Sequence, residues 1–582
     1  MLTRGQKRKL DGAFNRLTAS DELKWLPNVQ PLAIQPCDCK SGLKNRPIDL
    51  SPLAFFELCF PSSIFDDWSR QTNLHAFRYP DSDNWIETSS TEMRAFLGVL
   101  IWMSIIALPE ISMYWNKSTY QARIAKVFTR TRFKQLLSHW HLNKEKEERS
   151  TRDSAATNHT NADIPDNTDI ADNTYIANST DMDNSYTDIA NIGNAENVDN
   201  AENADNADNA ENVDNAKNAD NAENADNADN ASNNDVHRFD KLEPLMSTLL
   251  NVFKSIYSPG QHVVVDEAMA AFTGRVFGTV YMKDKPDKWG FKFFLLADCE
   301  TYFISNFQIY VSRPGGKAQK GLTKHAVLNL ARPWFGSHRV IYADNYYMSV
   351  ELCIELLQSG LYASGTTKPN RKYFPRELKN DELSKQGESR FLQCGPIIAT
   401  RWFDKKDVYF LSTAHTAEIS TVVSRRQKTG KRSNIKCPLI VQRYGMLMGA
   451  VDRHNQLRNS YRLGRRSKKW WHSPAFFLIG MATTNAYNLY RQYSSEPQLT
   501  HCKFLQLLAE KLINNFANRK QSKSQSISTN RHLPDTCTMR QCHYCSHKMH
   551  MRKRTTVWCP DCQIALCAVP CFRLFHLASR QD

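Results

Sequence analysis

The run Val263-Val264-Val265-Asp266-Glu267 constrains the fold more than any other stretch of this 582-residue chain. Consecutive β-branched residues lose side-chain freedom in a helix and pack well on a pleated surface. Apolar side chains at successive positions require cover on both faces, so this is a strand from the middle of a sheet. It ends in an acid. Taken alone, such an acid is most simply a solvated strand tip. A second stretch has the same form: Val340-Ile341-Tyr342-Ala343 is short, apolar and followed by Asp344. A third acid, Asp452 in Ala450-Val451-Asp452-Arg453, precedes a basic, aromatic segment and opens a predicted helix.

Three carboxylates far apart in sequence, two of them on strand ends, suggest a site for a hard cation. Mg²⁺ takes oxygen ligands and is usually held by one or two carboxylates, with water and phosphate completing its shell. Two such ions about 3.5–4 Å apart serve both the attacking and the leaving oxygen of a phosphodiester. Glu267 would face away from Asp266 if the strand continues, and is expected to pair with a basic neighbour.

Net charge is +15, and the charge is unevenly spread. Residues 151–235 hold 20 acids against Arg152 and Lys217, so the rest of the chain is far more basic than the total suggests. Such a surplus points to a polyanionic partner, nucleic acid first. Met1–Leu10 is charged and leads into no apolar stretch, so no signal peptide is expected. The most apolar run, Ala95–Leu108, is too short to cross a bilayer and reads as a buried helix. Neither a membrane partner nor a small-molecule substrate is expected. Of 15 cysteines, seven fall between Cys537 and Cys571, and the others are scattered as in a reducing compartment.

In chain order, residues 1–50 read as a flexible arm. Lys7-Arg8-Lys9 there is either a nuclear import signal or a solvated tail. Residues 51–150 and 236–260 read as an all-α scaffold. Ser51-Pro52 is a helix start, and Phe239, Leu242, Leu245, Leu249 and Phe253 recur at helical steps. Residues 151–235 interrupt it. From Asn194 to Ser232 the triplet Asn-Ala-Asp/Glu repeats. A three-residue unit matches neither the helical nor the strand period, and its composition predicts disorder. Residues 261–369 read as an α/β core: strands at 290–296 and 302–310 after the first, then helix 325–335, the Asp344 strand, helix 349–357 and strand 361–366. Residues 370–440 interrupt that core with strands at 397–403 and 408–412 and a basic run containing Arg425 and Arg426. Residues 441–500 return to it.

Beyond Asp452, Arg465, Arg466, Lys468 and Lys469 precede Trp470-Trp471. Cations beside rings make a plausible DNA groove, but the tryptophans open an apolar helix and read as core. Residues 501–530 are a linker, and 531–582 a cysteine-rich domain: Cys542-x2-Cys545, Cys559-x2-Cys562, Cys567-x3-Cys571 and His576. Paired thiolates two residues apart bite one tetrahedral zinc. Interleaved pairing would put Cys542, Cys545, Cys567 and Cys571 on one ion, and Cys559, Cys562 and His576 on a second, with Cys537 or His532 as the missing ligand.

Val265-Asp266-Glu267 with Phe272-Thr273-Gly274-Arg275, Ala343-Asp344-Asn345-Tyr346-Tyr347 and Met448-Gly449-Ala450-Val451-Asp452 resemble, in order, the catalytic-aspartate blocks of piggyBac-type transposases. The resemblance runs from about Leu50 to His576. It implies a mixed α and α/β protein: an RNase H-like catalytic core with an insertion domain, an all-α N-terminal scaffold and a C-terminal zinc-binding cysteine-rich domain. It further implies that Asp266, Asp344 and Asp452 hold two Mg²⁺, that one or two Zn²⁺ are structural, and that the chain acts in the nucleus on double-stranded DNA as a homodimer. Asp298 has no counterpart acid in the family and reads as structural. Family members usually carry a second Asp three residues after the third; here Asn455 stands there, on the same helical face as Asp452. A domesticated, non-catalytic DNA- or chromatin-binding protein is the alternative.

Overall fold

The computed structural model describes residues 23–37, 40–78, 85–143, 239–283, 285–311, 321–380, 383–426, 430–465, 467–494, 498–517, 534–560 and 562–578. The basic cluster at 7–9, the acid-rich insert, Arg466 and His532 lie outside the described residues. The chain forms two compact units, one of residues 1–107 with 136–512, the other of 108–135 with 513–582. Among the described residues no helix is long and apolar enough to cross a membrane.

The first unit opens with helices whose starts are written locally. In α1 (Pro52–Cys59), Ser51 Oγ accepts from the Ala54 amide and Pro52 occupies the first turn. Two further helices follow, α2 (Ser63–Ala76) and α3 (Ser90–Ile105), and Ser89 caps the latter through the Glu92 amide. A side-chain oxygen there satisfies a donor the helix cannot reach. In α3 the run from Ala95 to Met103 is buried, as its apolarity requires. After the insert, α4 (Glu243–Ile256) buries Leu245, Leu249 and Phe253.

A nine-stranded sheet organises the unit. Its first strand, β1 (His262–Ala271), is central and almost wholly buried. Short β2 (Thr279–Tyr281) and long β3 (Trp289–Asp298) follow, and β3 pairs antiparallel with β1. Next come β4 (Ile304–Ile309), antiparallel to β3, and α5 (Leu322–Ala331). On the other side of β1 lie β5 (Val340–Ala343), α6 (Val350–Gln358) and β6 (Tyr362–Thr366), with β5 parallel to both β1 and β6. Parallel neighbours need a crossover, and α6 supplies it between β5 and β6.

The segment after residue 370 extends this sheet. Its strands β7 (Ser389–Cys394), β8 (Ile397–Phe403) and β9 (Asp407–Ser412) pair antiparallel in turn, and β9 joins β6. A separate hairpin, β10 (Thr421–Arg426) with β11 (Arg432–Cys437), leads to α7 (Leu439–Leu447) and α8 (Ala450–Ser460). Long α9 (His472–Tyr493), buried along most of its length, and α10 (His501–Ile513) follow. Trp471 is buried against Trp140, and Trp470 packs on Phe239 and Phe291, so both tryptophans serve the core.

In the second unit, β12 (Asp535–Gln541), β13 (Arg554–Cys559) and β14 (Ile564–Ala565) form a three-stranded sheet. Helices α11 (His543–Lys548) and α12 (Cys571–Ala578) complete the cysteine-rich part.

Candidate functional site

The parallel pairing of β1 with β5 sets Val263 opposite Ile341 and Val264 opposite Tyr342. Two residues further on, the same offset sets Asp266 level with Asp344. The first strand does not end at its acid as expected: β1 runs on to Ala271, so Asp266 lies mid-strand and only Asp344 follows a strand end. Gly365 on β6 makes the end of β5 possible: a Cβ there would lie 1.9 Å from the Ala343 carbonyl oxygen. Asp344 then turns the chain, its Oδ1 accepting from the Tyr346 amide at 3.0 Å.

The third acid arrives on α8. His454 Nδ1 donates to the Tyr302 carbonyl at 3.0 Å, and Asn488 Nδ2 donates to the same oxygen at 3.1 Å. Arg453 reaches the Tyr302 hydroxyl at 3.2 Å. Tyr302 sits in the β3–β4 turn with φ of 60°, a left-handed conformation uncommon outside glycine. Asp298 holds that turn: Oδ1 accepts from the Glu300 and Thr301 amides, and Oδ2 from Gly260. Asp298 is thus structural, and what it shapes is the socket for the helix carrying Asp452.

The three carboxyl groups share one electrostatic field. Burial, then Glu267, pushes Asp266 well above the usual carboxylate range, with Asp344 and Asp452 adding to the rise. Burial and Glu267 raise Asp344 to about 6. Asp452 is exposed on its helix, yet the surrounding chain still raises its carboxyl, against the pull of Lys285. Crowded acids with raised pKa are the state a cation relieves. All three offer hard oxygen donors, which fits Mg²⁺. They are spread more widely than the two cysteine-containing groups, whose ligand atoms all lie within 4.8 Å of one another.

Sequence reasoning missed the groups that balance this charge. Lys285, between β2 and β3, sets Nζ 3.4 Å from Glu267 Oε1. Burial opposes its charge, but Asp266, Glu267 and Asp452 together hold its pKa above the ordinary value. Lys292 is buried on β3, its Nζ 4.3 Å from the Tyr346 ring centroid, with burial lowering its pKa and Glu267 opposing. Tyr347 donates to Glu267 Oε2 at 2.7 Å. Glu267 therefore has the basic partner expected of it. The signal for Lys292 was present: a lone cation in Phe291-Lys292-Phe293-Phe294 needs a buried acid. Lys285 lay hidden in a run of alternating charges.

Asn455 does share the helix with Asp452, but its Oδ1 lies 3.4 Å from Arg458 Nη2. Of the basic residues proposed for DNA, Arg425 is engaged within the protein: its Nε donates to Asp404 at 2.9 Å and its guanidinium lies over Trp402. Lys469 Nζ donates to the Ser138 carbonyl. Arg426 and Lys468 are exposed and Arg465 half-buried.

In the cysteine-rich part, Cys542, Cys545, Cys567 and Cys571 form one buried group, and Cys559, Cys562 and His576 another. Cys545 Sγ lies 3.4 Å from Cys571 Sγ and 3.9 Å from Cys567 Sγ. Thiolates about 2.3 Å from a tetrahedral zinc stand roughly 3.8 Å apart, so the spacing fits. The electrostatics agree. Burial opposes ionisation of Cys542, but the Cys545 and Cys567 amides bring it down to about 7, while burial and its neighbours push Cys571 up to about 12. Such thiols ionise together only around a cation. In the second group His576 Nδ1 donates to the Phe572 carbonyl at 2.7 Å, which turns Nε2 toward Cys562 Sγ at 3.5 Å. That bond fixes the tautomer a metal ligand needs.

The family model described as transposase IS4 matches residues 51–161 and 219–487. The chain belongs to this transposase family. The gap in the match falls inside the acid-rich insert. Its relatives place it among the piggyBac-type members. It is 29% identical to human PiggyBac transposable element-derived protein 3 over 274 residues, 45% of this chain and 46% of that protein. It is 20% identical to human PiggyBac transposable element-derived protein 5 over 473 residues, covering 78% of this chain and 73% of that protein. The first of these matches spans about half of the relative's length. The fold is similar to that in a cryo-EM structure of a piggyBac transposase synaptic complex with hairpin DNA, with TM-score 0.61, 21% identity, and coverage of 91% of this chain and 99% of that one. This transposase family member is therefore a mixed helix-and-sheet protein of the piggyBac transposase type, with a cysteine cluster compatible with zinc.

Proposed function

We propose that the chain is a DNA transposase that cuts and joins strands at Asp266, Asp344 and Asp452. The observation that carries this reading is the register that levels Asp266 with Asp344 in one electrostatic field with Asp452. An antiparallel meander followed by strand, helix, strand is the expected order of an RNase H-like core. The three aspartates would hold two Mg²⁺, which when bound would activate the attacking oxygen and stabilise the leaving oxygen of a phosphodiester. Within the protein, Lys285 pairs with Glu267, and the field of Glu267 also reaches Lys292. His454 and Arg453 tie α8, and with it Asp452, to the Tyr302 turn, which Asn488 of α9 also binds.

Double-stranded DNA is the proposed substrate, in the nucleus and by a homodimer. The basic surplus outside the insert and the likeness to a synaptic complex support it. Zinc at the two cysteine groups would keep the C-terminal part folded. The test is Mg²⁺-dependent cleavage of a labelled duplex carrying the element's own ends. Asp266→Ala, Asp344→Ala and Asp452→Ala should each abolish cleavage while DNA affinity changes less than about threefold, since cations elsewhere carry binding. A variant with normal cleavage would remove its aspartate from the site.

A second reading, a non-catalytic DNA-binding derivative, is favoured by Asn455, whose amide serves Arg458 instead of adding a fourth carboxylate. Absence of cleavage by the natural protein, with DNA binding intact, decides for it.

A further inference from the structure

Arg458 in α8 has 7% of its surface exposed. Its guanidinium lies on the Phe477 ring, 4.2 Å from the centroid. Its hydrogen bond, to Asn455 Oδ1, is long at 3.4 Å and ends on a neutral acceptor. Nε is buried without a partner. No described carboxylate lies within the 4.0 Å of an ion pair. The acid whose field reaches it, Asp287, is itself paired with Arg462, and Arg462 adds a second positive charge nearby. Burial lowers the Arg458 pKa to about 9, which leaves it charged at neutral pH. An uncompensated buried charge is among the costliest arrangements in a protein.

Arg458 borders a cavity of about 10 Å³, also lined by Ser104, Tyr461, Thr483, Thr484 and His501. That is room for about one water-sized particle. Gly480 keeps it open, since a Cβ there would come within 3.3 Å of Arg458 Cγ. The two threonine hydroxyls donate to carbonyls of their own helix, Ile479 and Gly480. His501 Nδ1 is buried and has no partner. The Ser104 hydroxyl donates to the Ile101 carbonyl and the Tyr461 hydroxyl bonds Cys502. Among the lining residues this leaves Arg458 Nε–H and the His501 imidazole Nδ1 without partners, and no acidic side chain lines the cavity.

We propose that this cavity binds a small monovalent anion, chloride in physiological solution, held by Arg458 Nε–H and the His501 ring N–H. Bound there, the anion compensates Arg458 and ties α8, the helix that carries Asp452, to α9 and α10. The site is independent of whether the chain cuts DNA.

The experiment is thermal unfolding of the full-length protein in chloride, bromide or gluconate at one ionic strength. The melting temperature should rise on the order of 2 °C per tenfold increase in chloride or bromide, and not with gluconate. Arg458→Met should lose this dependence. Asn455→Asp, which supplies a carboxylate one turn away on the same face, should melt higher in gluconate and also lose it, and this keeps the test open if Arg458→Met does not fold. A bromide-soaked crystal should show an anomalous peak beside Arg458. Melting indifferent to halide in the natural protein overturns the proposal. So does a bromide peak without halide-dependent melting, which marks an adventitious ion only.

Discussion

Lys285 sets its ammonium 3.4 Å from Glu267 Oε1, and the fields of Asp266 and Asp452 converge on the same group. Three carboxyl groups thus share one cation. The carboxylate of the pair is mostly shielded from water while the lysine side chain keeps 28% exposure, so the pair is stronger than a surface bridge and weaker than a fully buried one.

Lys285→Met should therefore destabilise the metal-free protein by about 1–2 kcal/mol. Added Mg²⁺ should close most of that gap, because it neutralises the same acids. Melting curves with chelator and with Mg²⁺ check this. A deficit that Mg²⁺ does not reduce would mean that Lys285 acts on the hairpin and not on the acids.

Asp344 and His472 give stability opposite dependences on pH. Asp344 has its pKa raised to about 6, so the folded state binds a proton the unfolded state has released, and stability falls as pH rises from about 4 to 6. Asp344→Asn should stabilise the metal-free protein by about 2 kcal/mol at pH 7, with the gain vanishing near pH 4. Denaturant titrations at both pH values measure it.

His472 is packed among Trp140, Trp471 and Phe476, and its Nε2 has no partner. Burial, with Lys469 nearby, lowers its pKa to about 3. The unfolded chain takes up this proton near pH 6.5 and the folded one does not, so stability is lost as pH falls below 6.5. His472→Phe should remove up to about 1.4 kcal/mol of that loss per pH unit between pH 6 and 4. An unchanged acid limb of the stability curve would contradict it.

Purified protein should carry close to two zinc ions per chain. Cys545→Ser should lose one, and chelation should unfold residues 534–578 while the first unit keeps its melting transition. Elemental analysis with proteolysis of the C-terminal part gives the answer; a zinc-free, folded protein would exclude the assignment.

Deleting residues 154–234 removes most of the acids in the insert. Non-specific DNA binding should tighten several-fold at low salt, with a melting temperature unchanged within a few degrees. Filter binding at two salt concentrations tests the first, and a large drop in melting temperature would refute the second.

What the sequence determined by itself was local. Three β-branched residues placed Val263–Val265 in a central strand, which continues past the acid to Ala271. Ser51-Pro52 opened a helix. Two-residue gaps between cysteines set which thiols converge, since the bite of a Cys-x2-Cys pair depends on a few backbone torsions. These features depend on residues a few positions apart, and a linear chain displays them. Partners of charges are different. Whether Lys285 meets Glu267 or Asp287, whether Arg425 grips phosphate or Asp404, and whether Asn455 looks to Asp452 or to Arg458 depend on how elements distant in sequence come together. Each cation had several acids equally available on paper. The level pairing of Asp266 with Asp344 likewise came from the parallel register of β1 and β5, which hydrogen bonds across the sheet fix and neither strand encodes alone. Periodicity says which face of an element is buried. Only the assembled core decides what that face is buried against.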